Sequence, residues 1–499
     1  MKTAAASVLA LAYGALAQNV VEFPVTKGIP GVQLGTVPSL GRRDTYTHRL
    51  INNIAGGGYY AQVQVGNPPQ NITMLLDTGS SDAWVLSNKA DLCTNKVVQE
   101  EYGMKCIDTY NPTKSSTHKM LHPNGFKITY LDNGVASGDY ISDDFSIGGT
   151  TIKSLQMALV TKAVRNTGIL GLGFSASEKA AQKYPNMVDQ LSNQGLISKK
   201  AFSLYLNDRR TDAGSILFGG IDTDKFIGSL QTLPMLSANG TYSSFEVDFT
   251  GLSITWTNGT TLTTNTSILD HPAPAVLDSG TTLSYLPDEM TDIISPALST
   301  AFDPDLRMTL IDCNYLTTER NLRITFRFNS TVTIAVPVYE MVLDVLGNYR
   351  IHPSIPFSKS ACLFGIQSTA IFEQTGTVKQ SNFTLLGDTF LRSAYVVFDL
   401  QHYQIGLAQA NLNSSRAAVV ELNSAATKLP AATGVTAQQT TYTPTTSPIT
   451  LTPAPEENAA SSLRRGSASS PPLAIAEMAV VAAVTGLLAL LGGCSLFVV

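Results

Sequence analysis

The chain has 499 residues, enough for two or three domains with large buried cores. Charged residues make up 14% and hydrophobic residues 43%, which excludes a largely disordered chain. The formal net charge of −5 and a pI of about 5.7 supply no basic face, so no nucleic acid is expected as a partner.

Met1-Lys2-Thr3 leads into a largely apolar run from Ala4 that ends in Ala15-Leu16-Ala17. A charged start, an apolar stretch and small residues before the cut predict a signal peptide over 1–17. The next segment, 18–43, closes on Arg42-Arg43 just ahead of strand-like sequence. It reads as a propeptide released by dibasic cleavage, with a mature start at Asp44. From about Tyr46 to Leu412 short alternating segments such as Phe126-Lys127-Ile128-Thr129-Tyr130 are punctuated by Gly, Asn, Asp and Pro, predicting a many-stranded β protein. Helices are predicted at Met187 to Gln194 and Asp288 to Phe302. After Ser414 the composition turns to Ala, Thr, Ser and Pro, as in Tyr442-Thr443-Pro444-Thr445-Thr446-Ser447-Pro448. A stalk over 413–470 is expected, since such sequence cannot bury a core.

No residue from Met478 to Val499 is charged. Upstream lie a weakly polar spacer and the small residues Gly466-Ser467-Ala468-Ser469-Ser470. That order is the signal for a GPI anchor attached near 466–468, Gly466 foremost, with 471–499 removed as spacer and tail. A tail-inserted transmembrane helix is the alternative. Of the five cysteines, Cys494 falls in the tail and leaves Cys93, Cys106, Cys313 and Cys362. Proximity suggests Cys93–Cys106 and Cys313–Cys362, although the sequence leaves the other pairings open. Sequons stand at Asn71, Asn239, Asn258, Asn265, Asn329, Asn382 and Asn413, so several N-glycans are expected on a secreted chain. Asn71 is the least suited, lying just before the strand that leads to Asp77.

The chemistry is carried by an internal repeat. Leu75-Leu76-Asp77-Thr78-Gly79-Ser80 returns as Val276-Leu277-Asp278-Ser279-Gly280-Thr281. Each copy is followed, at similar separation, by an apolar-Gly element: Ile169-Leu170-Gly171-Leu172, then Leu385-Leu386-Gly387-Asp388. One Asp-Thr-Gly would read as a turn. Two copies, each behind a strand of buried character and each with its own apolar-Gly partner, are a duplicated site. The six histidines form no His-Glu-x-x-His, and neither a Gly-x-Ser-x-Gly elbow nor a P-loop is present. No metal or cofactor is therefore expected.

With Leu76-Asp77-Thr78-Gly79-Ser80-Ser81-Asp82-Ala83-Trp84-Val85 and Leu277-Asp278-Ser279-Gly280-Thr281-Thr282 in view, the chain resembles the pepsin-like aspartic endopeptidases. Leu217-Phe218-Gly219-Gly220-Ile221-Asp222 and Leu386-Gly387-Asp388-Thr389-Phe390-Leu391-Arg392 extend the likeness from about Tyr59 to Leu412. The signal, dibasic pair, stalk and anchor are similar to the GPI-anchored fungal group called yapsins. The resemblance implies an all-β, bilobal fold of similar lobes, 44–230 and 231–412, flanking a deep cleft. It implies a monomer acting on polypeptides, with Asp77 and Asp278 as catalytic carboxylates. Two negative charges ~4 Å apart at an effective dielectric of ~20 repel by roughly 4 kcal/mol, about 3 pKa units. One proton is then shared across the acidic range, the established behaviour of aspartic-protease dyads. The resemblance further implies that Thr78 and Ser279 join the two loops and that Ser80 and Thr281 bond the outer carboxylate oxygens. Gly79 and Gly280 admit close backbone approach. Tyr130 would be the flap tyrosine, hydrogen-bonded by Trp84 beside an Asn133-Gly134 turn, with Leu131 where the family carries glycine. Asp132 is expected to meet a Lys or Arg side chain on the amino side of the cut bond. The rival is a non-catalytic binding module on the same fold, but both Asp motifs are intact.

Overall fold

The computed structural model describes residues 19–27, 57–211, 213–265, 274–329, 331–347, 349–357, 360–374 and 383–438. The signal peptide, Arg42-Arg43, Asn382, Gly466 and the apolar tail lie outside these residues. Strands dominate, as the alternating sequence requires. In the first half they are β1 (Val21–Lys27), β2 (Tyr59–Val65), β3 (Gln70–Asp77), β4 (Ala83–Leu86), β5 (Lys119–Thr129), β6 (Val135–Ile147) and β7 (Thr150–Ala163). β8 (Gly168–Gly171), β9 (Ala201–Tyr205), β10 (Ala213–Phe218), β11 (Gly220–Asp222) and β12 (Phe226–Pro234) follow. In the second half the strands that position the site are β13 (Ala275–Leu277), β14 (Ser284–Leu286), β15 (Ile366–Ser368) and β16 (Thr384–Leu386). β17 (Ala394–Asp399), β18 (Gln404–Ala410) and β19 (Val419–Glu421) complete them.

One 13-stranded sheet runs in the order β12-β18-β17-β9-β10-β1-β2-β3-β8-β4-β7-β6-β5. The chain thus forms two lobes that share a sheet, since β17 of the second half pairs along its length with β9 of the first. The interlobe boundary expected near Leu230 falls inside β12. On β9 and β17 successive side chains face opposite ways. Phe202, Leu204, Val396 and Phe398 join the main core, which also holds Leu76 and Leu277 beneath the Asp loops. Ala201, Tyr205, Tyr395 and Val397 form an outer cluster on the other face. Lys199 and Asp399, both buried, pair at 2.8 Å across the halves.

Two terminal segments are packed where the sequence reading expects a propeptide and a stalk. The first is β1, which lies within the segment expected to leave as a propeptide. It pairs with β10 from Val21 to Thr26 and with β2 at Thr26 and Lys27, and Val21, Phe23 and Val25 are buried. β1 is the strand that joins the shared sheet to the first lobe, so releasing it would expose two ladders and three apolar side chains. Cleavage after Arg43 is therefore expected to leave the N-terminal peptide in place. N-terminal sequencing of the purified native protein should show Gln18 and Asp44 together in similar yield; Asp44 alone would refute retention.

The second is the start of the supposed stalk. Residues 413–438 pack as a strap over the outer cluster. β19 pairs with β11, Leu422 and Leu429 are buried, and bridges join Ile227 to Val435 and Ser229 to Thr433. Lys225 Nζ donates to the carbonyls of Ser414 and Arg416, and Lys199 Nζ to that of Ala426. Any stalk begins beyond Gln438.

The first expected helix is Met187–Asn193, closed by a reciprocal capping box between Asn186 and Asp189. The second is Asp288–Leu298, ending short of Phe302. Pro296 sits in its last turn, Ser299 adopts a left-handed φ of 51°, and Ala301–Asp303 pairs as a strand. The disulfides are Cys93–Cys106 and Cys313–Cys362. Asn71 lies within β3 rather than before it, exposed, its amide oxygen accepting from Gln64 Nε2 at 3.0 Å. Asn239 and Asn258 are exposed on turns, Asn329 and Asn413 are half-buried, and Asn265 ends a strand.

Candidate active site

β3 and β13 each end at an Asp loop, and each is flanked in parallel by its apolar-Gly strand: Asp77 lies opposite Gly171 and Leu277 opposite Leu386. The elements behind the loops hold them by backbone bonds. Leu172 N–H donates to Asp77 O at 2.8 Å, Asp278 N–H to Leu386 O at 3.0 Å, and Asp388 N–H to Thr281 O at 2.9 Å. A Cβ at Gly387 would fall 2.3 Å from the carbonyl oxygens of Thr281 and Leu283, so a side chain there would push the second loop away.

The loops then bond to each other across the lobes. Thr78 Oγ1 donates to Leu277 O at 2.8 Å and accepts from Ser279 N–H at 2.9 Å. Ser279 Oγ donates to Leu76 O at 3.0 Å and accepts from Thr78 N–H at 3.2 Å. The four bonds are two-fold related, and Thr78 and Ser279 are buried. This cross-brace brings Asp77 and Asp278 to one place. Asp77 Oδ1 accepts from Gly79 N–H at 2.9 Å, and a Cβ on Gly79 would fall 2.7 Å from Asp278 Cγ. Only glycine leaves room for both carboxyls. Asp278 Oδ1 likewise accepts from Gly280 N–H at 2.8 Å. Ser80 Oγ donates to Asp77 Oδ2, and Thr281 Oγ1 to Asp278 Oδ2 at 2.7 Å.

Both aspartates are fully buried. Burial, and after it the charge of Asp278, raises the Asp77 carboxyl well above the usual carboxylate range; Ser80, Gly79 and the more distant Arg165 pull it down and are outweighed. A carboxyl pair of this kind holds one proton while its partner is ionised, offering an acid and a base side by side.

Above this pair, β5 and β6 form a hairpin whose turn spans 130–134, with Tyr130 N–H bonded to Gly134 O and Asn133 in the left-handed region at φ 60°. Tyr130 is buried and accepts from Trp84 Nε1 at 2.8 Å. Leu131 is buried in an apolar cluster with Val276, Leu283 and Tyr285 of the second lobe, so the turn reaches across to it. Asp132 sits in the turn, but its carboxylate is spent: Oδ1 accepts from Gly134 N–H at 2.6 Å, and Oδ2 pairs with Arg165 Nη2 at 2.5 Å. The basic substrate side chain expected to meet Asp132 would thus find this carboxylate already paired with Arg165, a cation of the protein's own.

Sequence reasoning missed Arg165, which stands in the loop between β7 and β8 with its guanidinium 4.6 Å from the centre of the Tyr130 ring. It also missed Asp82 and Glu178. Asp82 Oδ1 accepts from Tyr140 and Tyr184 hydroxyls at 2.8 and 2.9 Å. Burial pushes Glu178 up to about 9. An acidic residue inside the Asp77 motif and two tyrosines downstream were the only signal for that network.

The profile of the eukaryotic aspartyl protease family matches residues 58–410. The chain is 35% identical over 442 residues to "Probable aspartic-type endopeptidase OPSB" of Arthroderma benhamiae, covering 86% of this chain and 85% of that protein. It is 34% identical over 403 residues to the opsB protein of Aspergillus fumigatus, covering 79% and 77%. "Secreted aspartic protease 8" of Candida albicans is 34% identical over 374 residues, covering 75% and 80%. The paired Asp loops, the braces behind them and these relatives agree, and the chain belongs to the eukaryotic aspartyl protease family, the pepsin-like aspartic endopeptidases.

Proposed function

We propose that this chain is a secreted, surface-anchored endopeptidase that hydrolyses extended polypeptides at acidic pH, with Asp77 and Asp278 as its general acid and base. The observation that carries the reading is the cross-brace through Thr78 and Ser279, which holds two buried carboxyls against Gly79. The ionised member takes a proton from a water lodged between them. The water oxygen bonds to the scissile carbonyl carbon as the protonated member donates to the carbonyl oxygen, giving a tetrahedral gem-diol with no covalent bond to the protein. The carboxyl that took the water proton then gives it to the leaving nitrogen while the other takes a proton from a hydroxyl of the intermediate, the C–N bond breaks, and the pair is again singly protonated. Ser80, Thr281 and the two glycine N–H groups fix both carboxyls beforehand, so little reorganisation is left for the reaction. The Tyr130 hairpin covers the site and excludes water from the cleft.

The signal-like N-terminal sequence, the sequons and the anchor-like C-terminal sequence support a location at the outer face of the cell membrane or wall, and the Candida albicans relative is named as secreted. The test is cleavage of an acid-denatured protein by the secreted enzyme, blocked by the transition-state analogue pepstatin. Insensitivity to pepstatin, or the absence of cleavage, would favour a binding module instead. Release of the full-length protein from cells by phosphatidylinositol-specific phospholipase tests the anchor.

A further inference from the structure

We propose that Arg165 sets the side-chain preference beneath the flap: its guanidinium takes, against Asp132, the place a basic substrate side chain would take, so that Lys and Arg are disfavoured there and uncharged side chains accepted. The inference rests on the reading of the 130–134 turn as the flap over the Asp77–Asp278 site. Four observations carry it. Asp132 is buried at the tip of the turn, its two oxygens engaged by Gly134 N–H and Arg165. The Arg165 side chain is only 11% exposed, so the cation is built in rather than swinging in solvent. Its guanidinium lies over Tyr130, whose hydroxyl is fixed by Trp84, and its charge is felt at Asp77. The neighbouring Leu131 belongs to an apolar cluster of the second lobe.

One carboxylate cannot neutralise two cations. A Lys ammonium entering this space meets the Arg165 charge while Asp132 is already engaged by Arg165 and Gly134 N–H, whereas a Leu side chain meets the Tyr130 ring at no electrostatic cost. Arg165 thereby acts as a repulsive element against basic substrates. Its removal has a specific consequence: Asp132 is left buried and uncompensated, and the best available replacement for the lost guanidinium is the substrate's own cation.

The test uses two peptides that differ only in Lys or Leu on the amino side of the cut bond, with pepstatin-sensitive kcat/KM measured at the highest pH that retains activity. Wild type is expected to give a Lys:Leu ratio below one. Arg165→Ala should raise that ratio at least about tenfold, the double variant Arg165→Ala with Asp132→Ser should return it towards the wild-type value, and Arg165→Lys should leave it low. A wild-type ratio well above one that Asp132→Ser abolishes would overturn the proposal, and that measurement stands even if Arg165→Ala does not fold. So would an unchanged ratio in an Arg165→Ala protein that still cleaves the Leu peptide. Pepstatin-insensitive cleavage, or activity that survives Asp77→Asn, would sink the underlying catalytic reading instead, whatever the ratio.

Discussion

Replacing Asp77 or Asp278 by Asn is expected to lower kcat by at least ~1,000-fold each, with KM and the thermal midpoint little changed. Asparagine keeps the shape of the carboxyl and can still accept from Gly79 or Gly280 N–H, so the cross-brace between Thr78 and Ser279 should survive. What it cannot do is exchange a proton. Because the pair acts as one device, the double variant should be scarcely worse than either single one. Substantial activity in either single variant would remove the two-carboxylate mechanism. The pH dependence follows with its sign: Asp77 keeps its proton above the usual carboxylate range, so activity falls as pH rises through that raised value. Stability should move the same way. A carboxyl whose native value is raised contributes fully below its unfolded value, ~3.9 for Asp, and that contribution is lost as pH climbs through the native one. Asp82, Glu178 and Glu246 are raised by burial too, while Asp208, held down by Arg210 against its burial, works oppositely. The thermal midpoint should therefore be higher near pH 4 than at pH 7.5; the reverse order would show that these buried acids are ionised in the native state.

A stop after Gln438 should yield soluble, fully active enzyme, whereas a stop after Leu412 should yield none. The second truncation strips the strap. Burial of Leu422 and Leu429 is worth ~1.5–3 kcal/mol each. Lys199 and Lys225 would lose the carbonyls of Ala426, Ser414 and Arg416 as partners, charge-assisted bonds worth ~1.5–3 kcal/mol each. Together that rivals the ~5–15 kcal/mol by which such proteins are stable at all. Secreted activity and thermal midpoints of the two truncations check it. A Leu412-terminated enzyme with the wild-type midpoint would reduce the strap to decoration.

The Asp loops were legible in the sequence because the chemistry needs particular residues at fixed spacing, and duplication wrote them twice. The cysteine pairs were legible because each is the near neighbour in sequence. The flap turn was readable from Asn133-Gly134, but the fate of Asp132 was not. Its partner stands 33 residues away in a loop with no motif, and an ion pair across such a gap leaves no local pattern. At both ends composition concealed packed strands. Ala, Ser and Thr around 413–438 concealed Val419, Leu422 and Leu429, which were the signal for a packed segment. At the N-terminus, the dibasic pair drew the eye past the plain alternation of Val21, Phe23 and Val25.

The shared sheet has a mechanical meaning. Two lobes joined by a linker could swing apart freely, but here β17 and β9 are ladder partners across the halves and the strap is stitched over the junction. Gaping would bend a continuous hydrogen-bonded plate, which resists like a leaf spring instead of turning like a door. On the proposed function, admission of a polypeptide would then fall to the small turn at 130–134, which is held by the Arg165–Asp132 pair, the Trp84–Tyr130 bond and the packing of Leu131. For the same reason the molecule cannot be divided at Leu230 into self-sufficient halves: each would carry away strands whose partners remain with the other.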